Sequence, residues 1–166
     1  TATATDGEVE DYQVAIAAAA PSLSGNIFDD RDGSKIKAAS GENYTAANIT
    51  AVLLDASNKV VSTVAVNATG DYILNNVPAG TYSVKIIQTP ATALTTGVVI
   101  PPANDILPTN WVATGENNNG TPDATVDRTQ SVTVASANIT NINFGIEQLP
   151  DTTALTPASQ SNPGGS

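Results

Sequence analysis

The chain contains no cysteine, histidine or methionine, and only six lysines and arginines in 166 residues. Without cysteine there is no disulfide framework and no thiolate chemistry. Without histidine there is no imidazole base, no His-ligated zinc and no Ser-His-Asp triad. The six cationic side chains face sixteen carboxylates, for a net charge of -10. Such a chain repels phosphate backbones and anionic lipid, so nucleic-acid partners and membrane-surface binding are disfavoured and cations are the natural counterpart. No apolar run approaches the roughly 18 residues of a membrane helix. The longest is the Ala-rich stretch from Ala15 to Ala20, and the first residue is Thr1, with no signal-peptide pattern after it. The chain therefore reads as a mature fragment of something longer.

What the chain does have is an apolar period of two. In Thr81 to Ile86, Tyr82, Val84 and Ile86 share one face, with Thr81, Ser83 and Lys85 on the other; Asn141 to Ile146 likewise sets Ile142, Phe144 and Ile146 against Asn141, Asn143 and Gly145. Such alternation predicts half-buried antiparallel strands with one wet face, and it makes Tyr82 and Phe144 core residues. Further strands are expected at Tyr12 to Ile16, Leu23 to Phe28, Ile49 to Asp55, Val60 to Val66, Asp71 to Leu74, Trp111 to Ala113 and Ser131 to Ala135. Turn residues separate them at Asp55 to Asn58, Ala68 to Asp71, Pro78 to Gly80 and Asn117 to Gly120. The fold class is all-β, a sandwich of seven or eight strands. The domain spans 21-149, after an N-terminal strand and linker (1-20) and before a Pro/Ser/Thr/Gly linker (150-166).

The segment from Gly70 to Val84 is a hairpin that buries Tyr72, Leu74, Tyr82 and Val84 and reverses at Pro78 to Gly80. It resembles the signature of the SdrD B-like domains of bacterial surface proteins, relatives of the collagen-adhesin B-type and prealbumin-like sandwiches. Leu23 to Asp30 resembles that family's first strand, Val52 to Val61 its second strand and turn, and Asn141 to Ile146 its last. The resemblance implies an Ig-like, non-enzymatic spacer in a secreted or cell-surface protein. Its partners would be neighbouring modules or identical subunits of a filament. Asp6 to Tyr12 is similar to the closing motif of the GEVED domain of large secreted bacterial proteins. The strand from Tyr12 to Ile16 is accordingly expected to pack on another module.

Asp29, Asp30 and Asp32 follow a strand, with Gly33 next and Glu42 ten residues beyond Asp32. Clustered carboxylates on a loop supply the hard oxygen ligands that Ca²⁺ takes. The SdrD B-like resemblance implies a structural calcium loop here, and Gly41-Glu42 matches its Gly-Glu pair. Ser34 and Ala38 stand where that loop commonly has acids, and Lys35 and Lys37 add positive charge. A solvated acidic loop is the alternative. The Lys-Asn isopeptide crosslink known in collagen-adhesin relatives has no evident lysine here, because Lys35 and Lys37 lie in the loop rather than opposite Asn141 or Asn143. Thr152, in Asp151-Thr152-Thr153, fits a short pattern that some bacteria O-glycosylate. The acids lie on or beside turns, which disfavours a glycosidase pair across a cleft. Trp111 with Gly115, Glu116 and Asn117 either lines a glycan or protein groove or, as favoured here, plugs a sandwich edge. The alternatives to a spacer are thus a glycan- or protein-binding module and an accessory domain of a secreted hydrolase.

Overall fold

A computed structural model describes residues 19-45 and 48-150. The N-terminal strand expected at Tyr12 to Ile16, the GEVED-like motif and Thr152 lie outside the described residues. Among the described residues nine strands form two packed sheets: β1 (Leu23–Asp29), β2 (Ile49–Leu54), β3 (Val60–Ala65), β4 (Asp71–Leu74), β5 (Gly80–Gln88), β6 (Trp111–Asn118), β7 (Thr121–Pro122), β8 (Thr129–Val134) and β9 (Ile142–Gln148). One sheet runs β4-β1-β9-β6-β7 and the other β3-β2-β5-β8. Among the described residues there is one turn of 3-10 helix, at Pro102–Asn104, and no helix long and apolar enough to cross a membrane.

Local chemistry sets the hairpins. The β2-β3 turn closes with Asn58 N–H donating to Asp55 O (2.9 Å), while Asp55 Oδ1 accepts the Ser57 and Lys59 N–H groups. Asn58 takes the left-handed conformation (φ 59°) that Asn tolerates better than most residues. The β3-β4 turn repeats the device, with Asn67 Oδ1 accepting from Thr69 and Asp71 N–H. The expected turn in the Asn-rich stretch is present at Asn119 and Gly120, between β6 and β7, but the strand before it is longer than Trp111 to Ala113. β6 continues to Asn118, because Gly115, Glu116 and Asn117 are buried and paired with β9 through Asn143 to Gly145.

The main core lies between the sheets, built from Leu23, Ile27, Leu53, Tyr72, Val84, Ile86, Val132, Phe144 and Ile146 among others. Phe144 is fully buried, whereas Tyr82 only packs partly buried against this core. β2 departs from the expectation of one wet face: all six residues are buried. Val52, Leu54, Val60 and Ile87 form a second apolar cluster with Ile100 and Leu94 from the segment between β5 and β6, which covers the sheet's outer face.

One pairing departs from the antiparallel expectation. β1 and β9 run parallel, with Ile27, Phe28 and Asp29 opposite Phe144, Gly145 and Ile146, and Leu23 bridges Ile139 at the near end. The β9 side is one residue longer between these two contacts, so its backbone bulges at Asn141 (φ 62°) and Ile142 toward β1. Gly25 faces that bulge, and a Cβ there would land on the Ile142 carbonyl. The same carbonyl accepts the buried Tyr72 hydroxyl (2.7 Å), and Asn143 Oδ1 accepts Asn26 N–H (2.9 Å) in place of a backbone partner. Asn143 was expected to face solvent; it is half-buried and repairs the ladder.

Candidate metal centre

The parallel pair fixes the start of the acidic loop. Asp30 N–H donates to Ile146 O (2.9 Å), extending the β1-β9 ladder past Asp29. Successive strand residues point to opposite faces, so Asp29 and Asp30 part company. Asp29 is buried and bonds Arg31 Nε through Oδ2 at 2.8 Å. Asp30 is fully buried; its Oδ2 accepts Lys35 N–H (3.2 Å), and its Oδ1 is enclosed without a partner.

The loop then turns tightly, with Gly33 (φ 68°) and Lys35 (φ 62°) in left-handed conformation. Asp32 is exposed and its Oδ1 accepts Ser34 N–H (2.9 Å). The Ser34 backbone N–H, followed by the Ser34 hydroxyl, holds the Asp32 carboxyl below the usual carboxylate range. Glu42 returns from the far side of the loop, buried, with Oε2 accepting Ala38 N–H (2.6 Å). One carboxylate oxygen each from Asp30, Asp32 and Glu42 then lie within 4.8 Å of one another.

The structure therefore brings together three of the four acids read from the sequence, and these three could hold a metal ion. Asp29 is not among them; it faces Arg31 instead. Three carboxylates at this range repel one another, most strongly where burial lowers the local dielectric. A buried carboxylate oxygen without a hydrogen bond is costly on its own. A hard divalent cation relieves both, and all-oxygen donors suit Ca²⁺ or Mg²⁺ over softer metals.

The floor beneath the loop comes from residues far away in sequence. Gly115 and Gly145 pair across β6 and β9. The Lys35 methylenes lie over Gly115, where an added Cβ would meet Cδ at 2.5 Å. Asp30 lies over Gly145, whose Cβ would stand 3.0 Å from both Asp30 Cβ and Oδ2. Asn117 Nδ2 donates to Lys35 O (2.6 Å), tying the loop to β6. Sequence reasoning placed Gly115 and Asn117 beside Trp111 rather than under the loop, and passed over Gly145. The available signal was a glycine inside an apolar alternation at Asn143 to Ile146, which marks a close approach of other chain. Lys35 thus serves the loop through its backbone and stem. Asn141 Nδ2 donates to Asn119 Oδ1 (3.2 Å), and Asn143 holds Asn26.

Glu116 corrects the reading of the acids as turn residues. It is 1% exposed within β6; Oε1 accepts Arg128 N–H, and Oε2 is enclosed without a partner. Burial pushes its carboxyl up to about 7, reinforced by the charges of Asp127 and Asp123 and opposed by the Arg128 N–H. Gly115, Glu116 and Asn117 are thus interior residues and not a groove lining, and Trp111 packs partly buried against the core. Nearby, Asp105 bonds Lys85 Nζ and Arg128 Nη2, each at 2.8 Å. Burial would raise Asp105, but these two cations hold it below the usual range.

A pH dependence follows. Between about 4.5 and 7 the folded chain holds a proton on Glu116 that the unfolded chain releases, so stability falls as pH rises through that window. The loss should be about 3 kcal/mol at 1.36 kcal/mol per unit. Asp71 and Asp105, both held low, lose their contributions only as pH falls below about 4. Urea melts of the wild type from pH 4.5 to 8 should show the decline, and Glu116→Gln should flatten it. An equal slope in both proteins would remove Glu116 as its source.

No protein-family model matches the chain, and neither does any curated protein.

Proposed function

We propose that this chain is a load-bearing spacer module of a secreted or cell-surface protein, stiffened by Ca²⁺ at Asp30, Asp32 and Glu42. The observation that carries this reading is the parallel pairing of β1 with β9, the first and last strands among the described residues. In a parallel pair the start of β1 and the end of β9 lie at opposite ends of the ladder. Tension along the chain then loads the rungs in shear, so several must yield together. An antiparallel pair of terminal strands would instead unzip one bond at a time. The acidic loop leaves β1 at the last rung, Asp30 to Ile146, so a cation there would lock the end of this clamp.

Two further features support a passive module. The space between the sheets is filled by buried apolar side chains, and the motifs resemble SdrD B-like spacers. Its partners are then the flanking modules of the same protein or identical subunits in series, outside the cell. Ca²⁺ suits the loop better than Mg²⁺, because all three of its carboxylates are already held by backbone N–H groups in an irregular arrangement that Ca²⁺ tolerates and octahedral Mg²⁺ does not.

Melting curves in EDTA and in millimolar Ca²⁺ test the cation. A ligand bound only by the folded state stabilises by about 2.7 kcal/mol at a hundred times its Kd. The wild type should melt higher in Ca²⁺, and Asp30→Asn should lose most of the increment. Coincident wild-type curves would contradict the calcium reading.

A further inference from the structure

The acidic loop offers three carboxylates, whereas Ca²⁺ takes six to eight oxygens and commonly accepts neutral ones among them. A second buried oxygen beside Asp30 has no partner. In β6 the register with β9 shifts between Ala113 and Gly115, leaving Thr114 unopposed in a bulge. Bulges re-aim a side chain, and they recur beside functional sites. The Thr114 hydroxyl is enclosed and makes no hydrogen bond, as is true of Asp30 Oδ1. The position a Gly145 Cβ would take lies 2.5 Å from Thr114 Oγ1 and 3.0 Å from Asp30 Oδ2. Hydroxyl and carboxylate therefore both crowd the same face of residue 145, which has room for them only because it is glycine.

A buried hydroxyl with nothing to bond is a net cost to the fold. Nearby protein groups do not relieve it here, and replacing it with a methyl of the same shape would. On these grounds we infer that Thr114 is a fourth member of the cation site, its hydroxyl supplying a neutral oxygen beside the Asp30 carboxylate. The inference rests on the calcium reading above and extends the site from one loop to the β6 bulge. It also explains why two glycines meet where the loop lies down: side chains at 115 or 145 would lift Lys35 or Asp30 away from Thr114.

The test is a calorimetric Ca²⁺ titration of wild type, Thr114→Val and Thr114→Ser, with melting temperatures of each in EDTA. Removing a group that supports a metal site typically weakens binding by about 10- to 100-fold. Thr114→Val should bind Ca²⁺ at least about tenfold more weakly. In EDTA it should melt at or above the wild type, since an idle hydroxyl has been replaced by a methyl. Thr114→Ser should keep the wild-type affinity. Wild-type binding with an unchanged Kd in Thr114→Val would overturn this inference and leave the calcium reading standing. A wild type that takes up no Ca²⁺ would remove both. A Thr114→Val protein that melts lower in EDTA yet binds Ca²⁺ normally would place the hydroxyl in the apo fold, which also overturns the inference.

Discussion

Phe144→Ala should lower the unfolding free energy by about 3 to 5 kcal/mol, as large aromatic truncations in closed cores do. Phe144 is fully buried at the centre of β9, opposite Ile27, and its ring sits 6.4 Å from that of Tyr72 at a tilt of 47°. β9 is hydrogen-bonded on both sides, to β1 and β6, so neighbouring strands cannot close over the void without breaking the ladder. Tyr82→Ala is the informative comparison. Alternation alone made the two equal, but Tyr82 is only partly buried and should cost clearly less. Urea denaturation of both variants measures the difference, and equal losses would contradict the packing described here.

Gly25→Ala should be nearly as damaging, at about 3 kcal/mol or more, although it adds a single methyl. Overpacking costs 1 to 3 kcal/mol where side chains can yield, and more where they cannot. Here the obstacle is backbone: the new methyl falls on the Ile142 carbonyl and within 2.8 Å of the Tyr72 hydroxyl. Relief requires moving β9 away from β1, which also breaks the Tyr72–Ile142 hydrogen bond. Tyr72→Phe separates these effects, since it removes only that bond and should cost about 1 kcal/mol. A Gly25→Ala protein as stable as the wild type would mean that β1 and β9 are not in the register given above.

The contrast between Phe144 and Gly25 marks what could be read from the sequence. Alternation along a strand is local, so Ile142, Phe144 and Ile146 were legible as an inward face and the sandwich followed from repeated strands and turns. Which strands become neighbours is not local. Nothing between Leu23 and Asp29 announces a parallel partner more than a hundred residues away, nor a bulge that only glycine admits. Burial on both faces of β2 was hidden for the same reason, because its cover arrives from the long segment after β5. The candidate site divides the same way. Asp30, Asp32 and Glu42 were visible by spacing within one loop. Asp29 was included because spacing cannot tell the two faces of a strand end apart. The links of Thr114, Asn117 and Gly145 to the loop were invisible because these residues reach it only through the sheet. Glu116 was misplaced because Gly and Asn on either side resemble a turn, whereas β6 continues through all three to Asn118.

The claim that this is a cation-stiffened, load-bearing module is tested most directly by pulling single molecules of the full chain from their two ends, in Ca²⁺ and then in EDTA. Forced unfolding reports the barrier, which shear loading of the β1-β9 ladder should make high. The account predicts one cooperative rupture, at higher force in Ca²⁺ than in EDTA, with Asp30→Asn showing the EDTA value in both. Gradual yielding at low force, the same with and without Ca²⁺, would contradict it.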